Sequence, residues 1–186
     1  STTTNGIPHP RTQVMRMLDL MADGKRIDVS STGKANGNAG IIACVKDNKV
    51  YLLVYSHPDM NRATNLNNLI SFKLQGEMIG KSRNWNMNEW SVDHNHTIWA
   101  YDMYEDLVRA GIKPNPMEDI YDGNPGRRFG SKWKNVFEEN RAKYERIAEF
   151  PLTAKNKPVN QKKGIITIDY NMPGHSVRLI ELTPGN

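Results

Sequence analysis

Cysteine occurs once among the 186 residues, at Cys44, so no intrachain disulfide can form and no cysteine cluster can hold a metal. Set in the apolar run Gly40-Ile-Ile-Ala-Cys-Val45, it is expected to be a buried packing thiol rather than a nucleophile. No apolar run reaches membrane-spanning length, so no membrane partner is expected. Neither a Ser-His-Asp arrangement nor a phosphate-binding glycine loop is present. The net charge of +5 and pI near 9.3 would suit a polyanion partner only if the bases were concentrated. They are scattered, the densest clusters being Arg127-Arg128 and Lys162-Lys163, and no nucleic-acid partner is expected. A basic interaction module is the weakest of the functional readings. The opening Ser-Thr-Thr-Thr-Asn-Gly lacks the basic and apolar parts of a secretory signal, which leaves secreted, periplasmic and cytoplasmic settings open.

What the chain does contain is hydrophobic periodicity of two kinds. From His9 to Ala22 the spacing of Val14, Met17, Leu18 and Met21, with Pro10 in the first turn and Gly24 just past the end, predicts a helix. Ile41–Val45 and Val50–Tyr55, joined by Lys46-Asp-Asn-Lys49, predict a hairpin. Both runs are nearly continuously apolar, which places the hairpin inside a sheet covered on both faces. Further strands are expected over Leu69–Leu74, Asn84–Val92, Gly164–Tyr170 and the closing run to Leu182. The last two, separated by the tight turn Asn171–Gly174, are expected to pair antiparallel.

Between them lies a helical stretch: Ile98–Ala110 closed by Gly111, a long irregular connection through Lys113-Pro-Asn-Pro116 and Asp122-Gly-Asn-Pro-Gly126, and an amphipathic helix from Arg128 to about Ala148. The expected fold class is mainly β, an antiparallel β-sandwich with an inserted helical excursion and one N-terminal helix. Residues 1–24 form the helical unit, and residues 25–186 the sandwich with its insertion at about 98–148.

Two arrangements invite functional readings from residue type. Asp93, His94 and His96 carry metal-ligand chemistry, but two or three groups without a second cluster do not enclose an ion. The expectation is no metal and no cofactor, with Asp93 and His96 bonding the backbone where strand gives way to helix and His94 exposed beside them. Trp85, Trp90, Trp99 and Trp133 raise stacking against sugar rings. Trp99 and Trp133 fall on apolar helix faces and read as core, leaving Trp85 and Trp90 as the candidates for a glycan-binding module. No carboxylate pair suited to catalysis is visible: Glu138 and Glu139 are adjacent on a helix and point about 100° apart, and Glu77, Glu89, Glu118 and Glu181 read as isolated solvating charges.

Three ordered segments carry a resemblance. Gly6-Ile-Pro-His-Pro10 with the helix after it, Trp90-Ser-Val-Asp-His-Asn-His-Thr97, and Met172-Pro-Gly-His-Ser-Val-Arg-Leu-Ile-Glu-Leu182 resemble the C-terminal portion of family 39 glycoside hydrolases, the group containing β-xylosidases and α-L-iduronidase. The matched positions are Asp93, His96 and Thr97 in the second segment and His175 and Ser176 in the third. The chain departs from the pattern at Ile98 and in an insertion around 112–130.

The resemblance implies that a (β/α)₈ barrel carries catalysis, with two carboxylates about 5 Å apart at strand ends, and that this chain corresponds to the last barrel helix plus the β-sandwich beside it. No catalytic residue is then expected in this chain, and its expected partners are a catalytic barrel and a second copy of itself. The barrel-facing side of the first helix is expected to include Met15, Leu18 and Met21.

Overall fold

The computed structural model describes residues 3–4, 6–28, 38–57, 67–112, 132–150 and 152–185. A two-residue ladder pairs β1 (Thr3–Thr4) with β2 (Ile7–Pro8) before α1 (Pro10–Met21). The chain continues through β3 (Lys25–Ile27), β4 (Asn38–Lys46), β5 (Lys49–His57), β6 (Asn68–Gln75), α2 (Glu77–Lys81) and β7 (Asn84–Val92). Helices α3 (Trp99–Arg109) and α4 (Trp133–Ala148) follow, then β8 (Leu152–Asn160), β9 (Ile165–Met172) and β10 (Ser176–Pro184). The irregular connection expected at 113–126 lies outside the described residues, as does the start of the second long helix.

Six strands form one antiparallel sheet in the order β3-β4-β5-β10-β7-β8, and β6 pairs with β9 in a second sheet. Between the two sheets, Val50, Leu52, Val54, Ile180 and Leu182 of the large sheet meet Phe72, Ile166, Ile168 and Met172 of the small one. The outer face of the large sheet is covered by α1: Met17 and Met21 pack on Cys44, Tyr51, Leu53, Val92 and Leu179. This two-sided cover explains the unbroken apolar run Val50–Val54, which is buried throughout. At the turn between β4 and β5, Asp47 and Asn48 both take positive φ, the backbone of a primed hairpin turn, which Asp and Asn tolerate. Helices α3 and α4 build a separate apolar cluster with Ile7, around Trp99, Leu107, Phe137 and Tyr144. Thus Trp99 and Trp133 are core residues, as their spacing predicts.

Four sequence expectations are corrected. β9 and β10 are not paired: β9 lies in the small sheet, whereas β10 runs between β5 and β7. The tight connection Pro173-Gly174-His175 is an arch from one sheet to the other. Pro173 has no N–H with which to continue the β9 ladder, His175 adopts φ 56°, and crossing lets β10 bury both its faces. Strand β8 was not anticipated, because Lys155, Lys157 and Pro158 make it polar. It is an edge strand, mostly exposed, where lysine and proline discourage further pairing.

The third correction concerns the end of α1. Asp23, not Gly24, takes the left-handed conformation at φ 64°. Gly24 is instead a point of close approach, since a Cβ there would lie 2.6 Å from Cys44 Sγ and 2.9 Å from the Met21 carbonyl oxygen. Fourth, Met21 points into the sheet, and only Met15 and Leu18, 57% and 38% exposed, remain on the outer side of α1. By contrast α3 ends as predicted: Gly111 at φ 75° lets the Ile112 N–H reach the Leu107 carbonyl and its own N–H reach that of Val108.

Gly24→Ala is therefore expected to cost about 1–3 kcal/mol from overpacking, read as a lowered denaturation midpoint in urea. Cys44→Ala in the same chain should recover part of the loss. An unchanged midpoint in the single variant would contradict the close approach.

Candidate functional site

The two C-terminal motif segments meet at one end of the large sheet. Val177 of β10 pairs with Val92 of β7, so Asp93–Thr97 and His175-Ser176 both begin one residue beyond that pair. Asp93 is 1% exposed and closes a tight turn: its N–H and carbonyl pair with those of His96, and its Oδ1 accepts from the Asn95 N–H at 2.9 Å. The same oxygen lies 2.7 Å from His96 Nδ1. Thr97, at φ 73°, redirects the chain into α3 and donates its hydroxyl to the His96 carbonyl. Asp93 thus bonds the backbone where strand becomes helix, whereas the His96 ring meets the Asp93 carboxylate and not a backbone group, and His94 lies exposed with its ring edge-on to Tyr101.

From β10, Arg178 joins this turn to the space between the sheets. Its Nη2 lies 3.7 Å from Asp93 Oδ2, its Nη1 donates to Glu89 Oε1 at 2.8 Å, and its guanidinium lies over the Tyr170 ring at 5.2 Å. Glu89 also accepts from the Tyr170 hydroxyl and from Ser91 and Thr153 at 3.2 and 3.3 Å. Burial, then the bond to Glu89, pushes the Tyr170 hydroxyl well above its ordinary value.

Glu181 is held in the same manner on the opposite face of the sheet, accepting from Tyr51 at 2.8 Å, Asn88 at 2.8 Å and Lys49 at 3.1 Å. Burial alone would raise its pKa, but these three donors outweigh it and hold the carboxyl below 4.5. Glu89 and Glu181 are therefore not solvating charges; they are 6% and 7% exposed. Ile180 pairs with Glu89, and Glu181 is the next residue along, so the two carboxylates point to opposite faces and cannot flank one bond. Neither is open to a substrate.

The aromatic candidates divide. Trp85 is 1% exposed within the inter-sheet core and donates Nε1–H to the Ser82 carbonyl, so neither face of its ring is offered to a sugar. Trp90 is half-buried and stacks on Phe150. Ser176 donates its hydroxyl to the Pro173 carbonyl across the arch, and His175 Nδ1 lies 3.0 Å from His57 Nδ1. Among the described residues no group of three or more metal-ligating side chains converges.

Solved structures share this fold. The enzyme of glycoside hydrolase family 39 from Xanthomonas axonopodis pv. citri superposes at a TM-score of 0.59 and 12% identity, over 97% of this chain and 31% of that one. The fold is that of a part of a family 39 glycoside hydrolase. A monomeric β-xylosidase from Caulobacter crescentus CB15 matches at 0.58 and 16% over 98% of this chain and 32% of its own. A bacterial orthologue of human α-L-iduronidase matches at 0.58 and 15%, over 96% and 28%. The chain thus spans less than a third of the length of each of these solved structures. No protein-family model and no curated protein sequence matches it.

Two predictions follow from the buried charges. Removing Arg178 strands Glu89 in the interior, so Arg178→Met is expected to cost about 3–5 kcal/mol in urea unfolding. Pairing it with Glu89→Gln should return more than about 1 kcal/mol of coupling; additive costs would refute the pair. For Glu181 the folded pKa is lowered, so its stabilisation is present above about pH 4.5 and is lost as the pH falls through the folded value. Glu181→Gln should accordingly flatten stability against pH below that point. A variant as acid-sensitive as the wild type would show that another group carries the effect.

Proposed function

We propose that this chain is the non-catalytic β-sandwich portion of a retaining glycoside hydrolase acting on an oligosaccharide or polysaccharide, with residues 1–24 contributing the last barrel helix. The observation that carries the reading is the match over nearly all of this chain to less than a third of much longer glycosidases. Its own carboxylates support it, since Glu89 and Glu181 are saturated by donors and face opposite sides of one sheet. Acid/base and nucleophile would then be supplied by the remainder of the enzyme.

The physical role of the sandwich is to cover the barrel flank. α1 is held to the large sheet by Met17 and Met21, and the Gln13 side chain donates to the Ala148 carbonyl at the end of α4. Its outer side keeps Met15 and Leu18 exposed, the apolar pair available to neighbouring barrel helices. A second copy could cover the same pair in the isolated chain. A glycan-binding role through Trp90 is the subordinate reading, and it has less geometric support because Phe150 already occupies one side of that ring.

The deciding experiment is to read the gene upstream of the Ser1 codon. An open frame encoding the rest of the barrel, eight strands and the first seven helices with two strand-end glutamates, is expected, and a start codon immediately before Ser1 would overturn the proposal. In the isolated chain, hydrolysis of nitrophenyl glycosides should not exceed the buffer rate. Light scattering should show self-association that Met15→Lys with Leu18→Lys abolishes; a clean monomer at high concentration would remove the case for that exposed pair as an interface.

A further inference from the structure

We propose that His57 and His175 form a two-imidazole site for a divalent transition-metal ion that favours square or tetragonal nitrogen coordination, copper(II) or nickel(II). The residues are 118 positions apart in sequence, and their Nδ1 atoms lie 3.0 Å from one another with the rings at 66°. Strand register brings them together. Ser176 of β10 pairs with Ser56 of β5, so His175 and His57 occupy the next facing positions, where side chains directly opposite interact across a ladder.

The support on each side is specific. His57 ends β5, and Ser56 beside it accepts from Asn68 Nδ2 at 2.9 Å. His175 sits in the arch at φ 56°, with Ser176 bonded back to the Pro173 carbonyl. The arch therefore presents the His175 ring from a fixed turn instead of a mobile chain end.

The separation suits cis coordination. With metal–nitrogen bonds of about 2.0–2.1 Å, nitrogens 3.0 Å apart subtend about 91–97° at the metal, near the right angle of cis ligands in square or octahedral coordination. A tetrahedral zinc site would need the nitrogens about 3.3–3.4 Å apart. Copper(II) also binds nitrogen donors more tightly than nickel(II) or zinc(II). Without metal, one imidazole donates Nδ1–H to the Nδ1 lone pair of the other, whose own N–H is on Nε2; on binding, the donor ring gives its Nδ1 proton to solvent and takes one up at Nε2, so that both rings carry Nε2–H and both Nδ1 lone pairs turn to the ion. Water supplies whatever positions the protein does not. The structural effect of the ion is to clamp the inter-sheet arch to β5.

The test uses tag-free chain titrated with copper(II) and, separately, nickel(II). One equivalent is expected to bind, with a copper spectrum carrying hyperfine coupling from two imidazole nitrogens and a rise in Tm reversed by chelator. His57→Gln and His175→Asn should each weaken binding at least about tenfold, and His94→Ala should not. Asparagine is chosen at position 175 because it tolerates positive φ. In wild-type protein, sub-stoichiometric nickel(II) should broaden the ring resonances of His57 and His175 before those of His9, His94 and His96, a readout independent of whether the variants fold. Absence of saturable binding, binding retained in both variants, or broadening that begins at another histidine would overturn the proposal and leave a plain hydrogen bond between the rings.

Discussion

Strand β10 is hydrogen-bonded along both edges, to β5 over seven residue pairs and to β7 over eight, and has apolar cover on both faces. Ile180 and Leu182 enter the inter-sheet core while Leu179 supports α1. Burying such a side chain stabilises the fold by about 1.5–3 kcal/mol, so this one strand couples the two layers and the first helix. It also delivers Arg178 to Glu89 and Asp93, and Glu181 to Lys49, Tyr51 and Asn88. A central strand that arrives last in sequence ties the hairpin, β7 and the arch into one unit.

The arch is the topological cost of that placement. Had β9 and β10 paired as a hairpin, β9 would occupy the edge of β10 that β5 or β7 now holds. Crossing at Pro173–His175 instead places β9 against β6 and lets the small sheet roof the large one. The two-strand sheet has an open edge on either side among the described residues. The same crossing puts His175 opposite His57, so the arch is both the topological switch and the place where two imidazoles meet.

Much of the organisation was legible in the chain. The hairpin around Asp47-Asn48, β7 at Asn84–Val92, the helix before Gly111 and the burial of Cys44, Trp99 and Trp133 all followed from local pattern, because turn chemistry and period act over a few residues. The backbone bond of Asp93 was legible as well, since it spans only two residues, whereas the contact of the His96 ring with the Asp93 carboxylate was not. What local pattern missed was non-local. Strand β8 carries too little apolar alternation to announce itself and is ordered by the free edge of β7. Glu89 and Glu181 look like surface charges until strands distant in sequence supply their donors. Trp85 remained a stacking candidate because it does not fall on an apolar helix face, yet period two turns Asn84 and Asn86 out and the indole in.

The sequence by itself determined the longer helices and every long strand except β8, the mainly β class and the family resemblance, since each rests on residues close together along the chain. Tertiary structure alone decided which strands are neighbours, that the last turn is an arch rather than a hairpin, that both buried glutamates are spent on structure, and that His57 meets His175. Those outcomes depend on closing long loops around a shared core, a balance of buried area against chain entropy that no short window of residues contains.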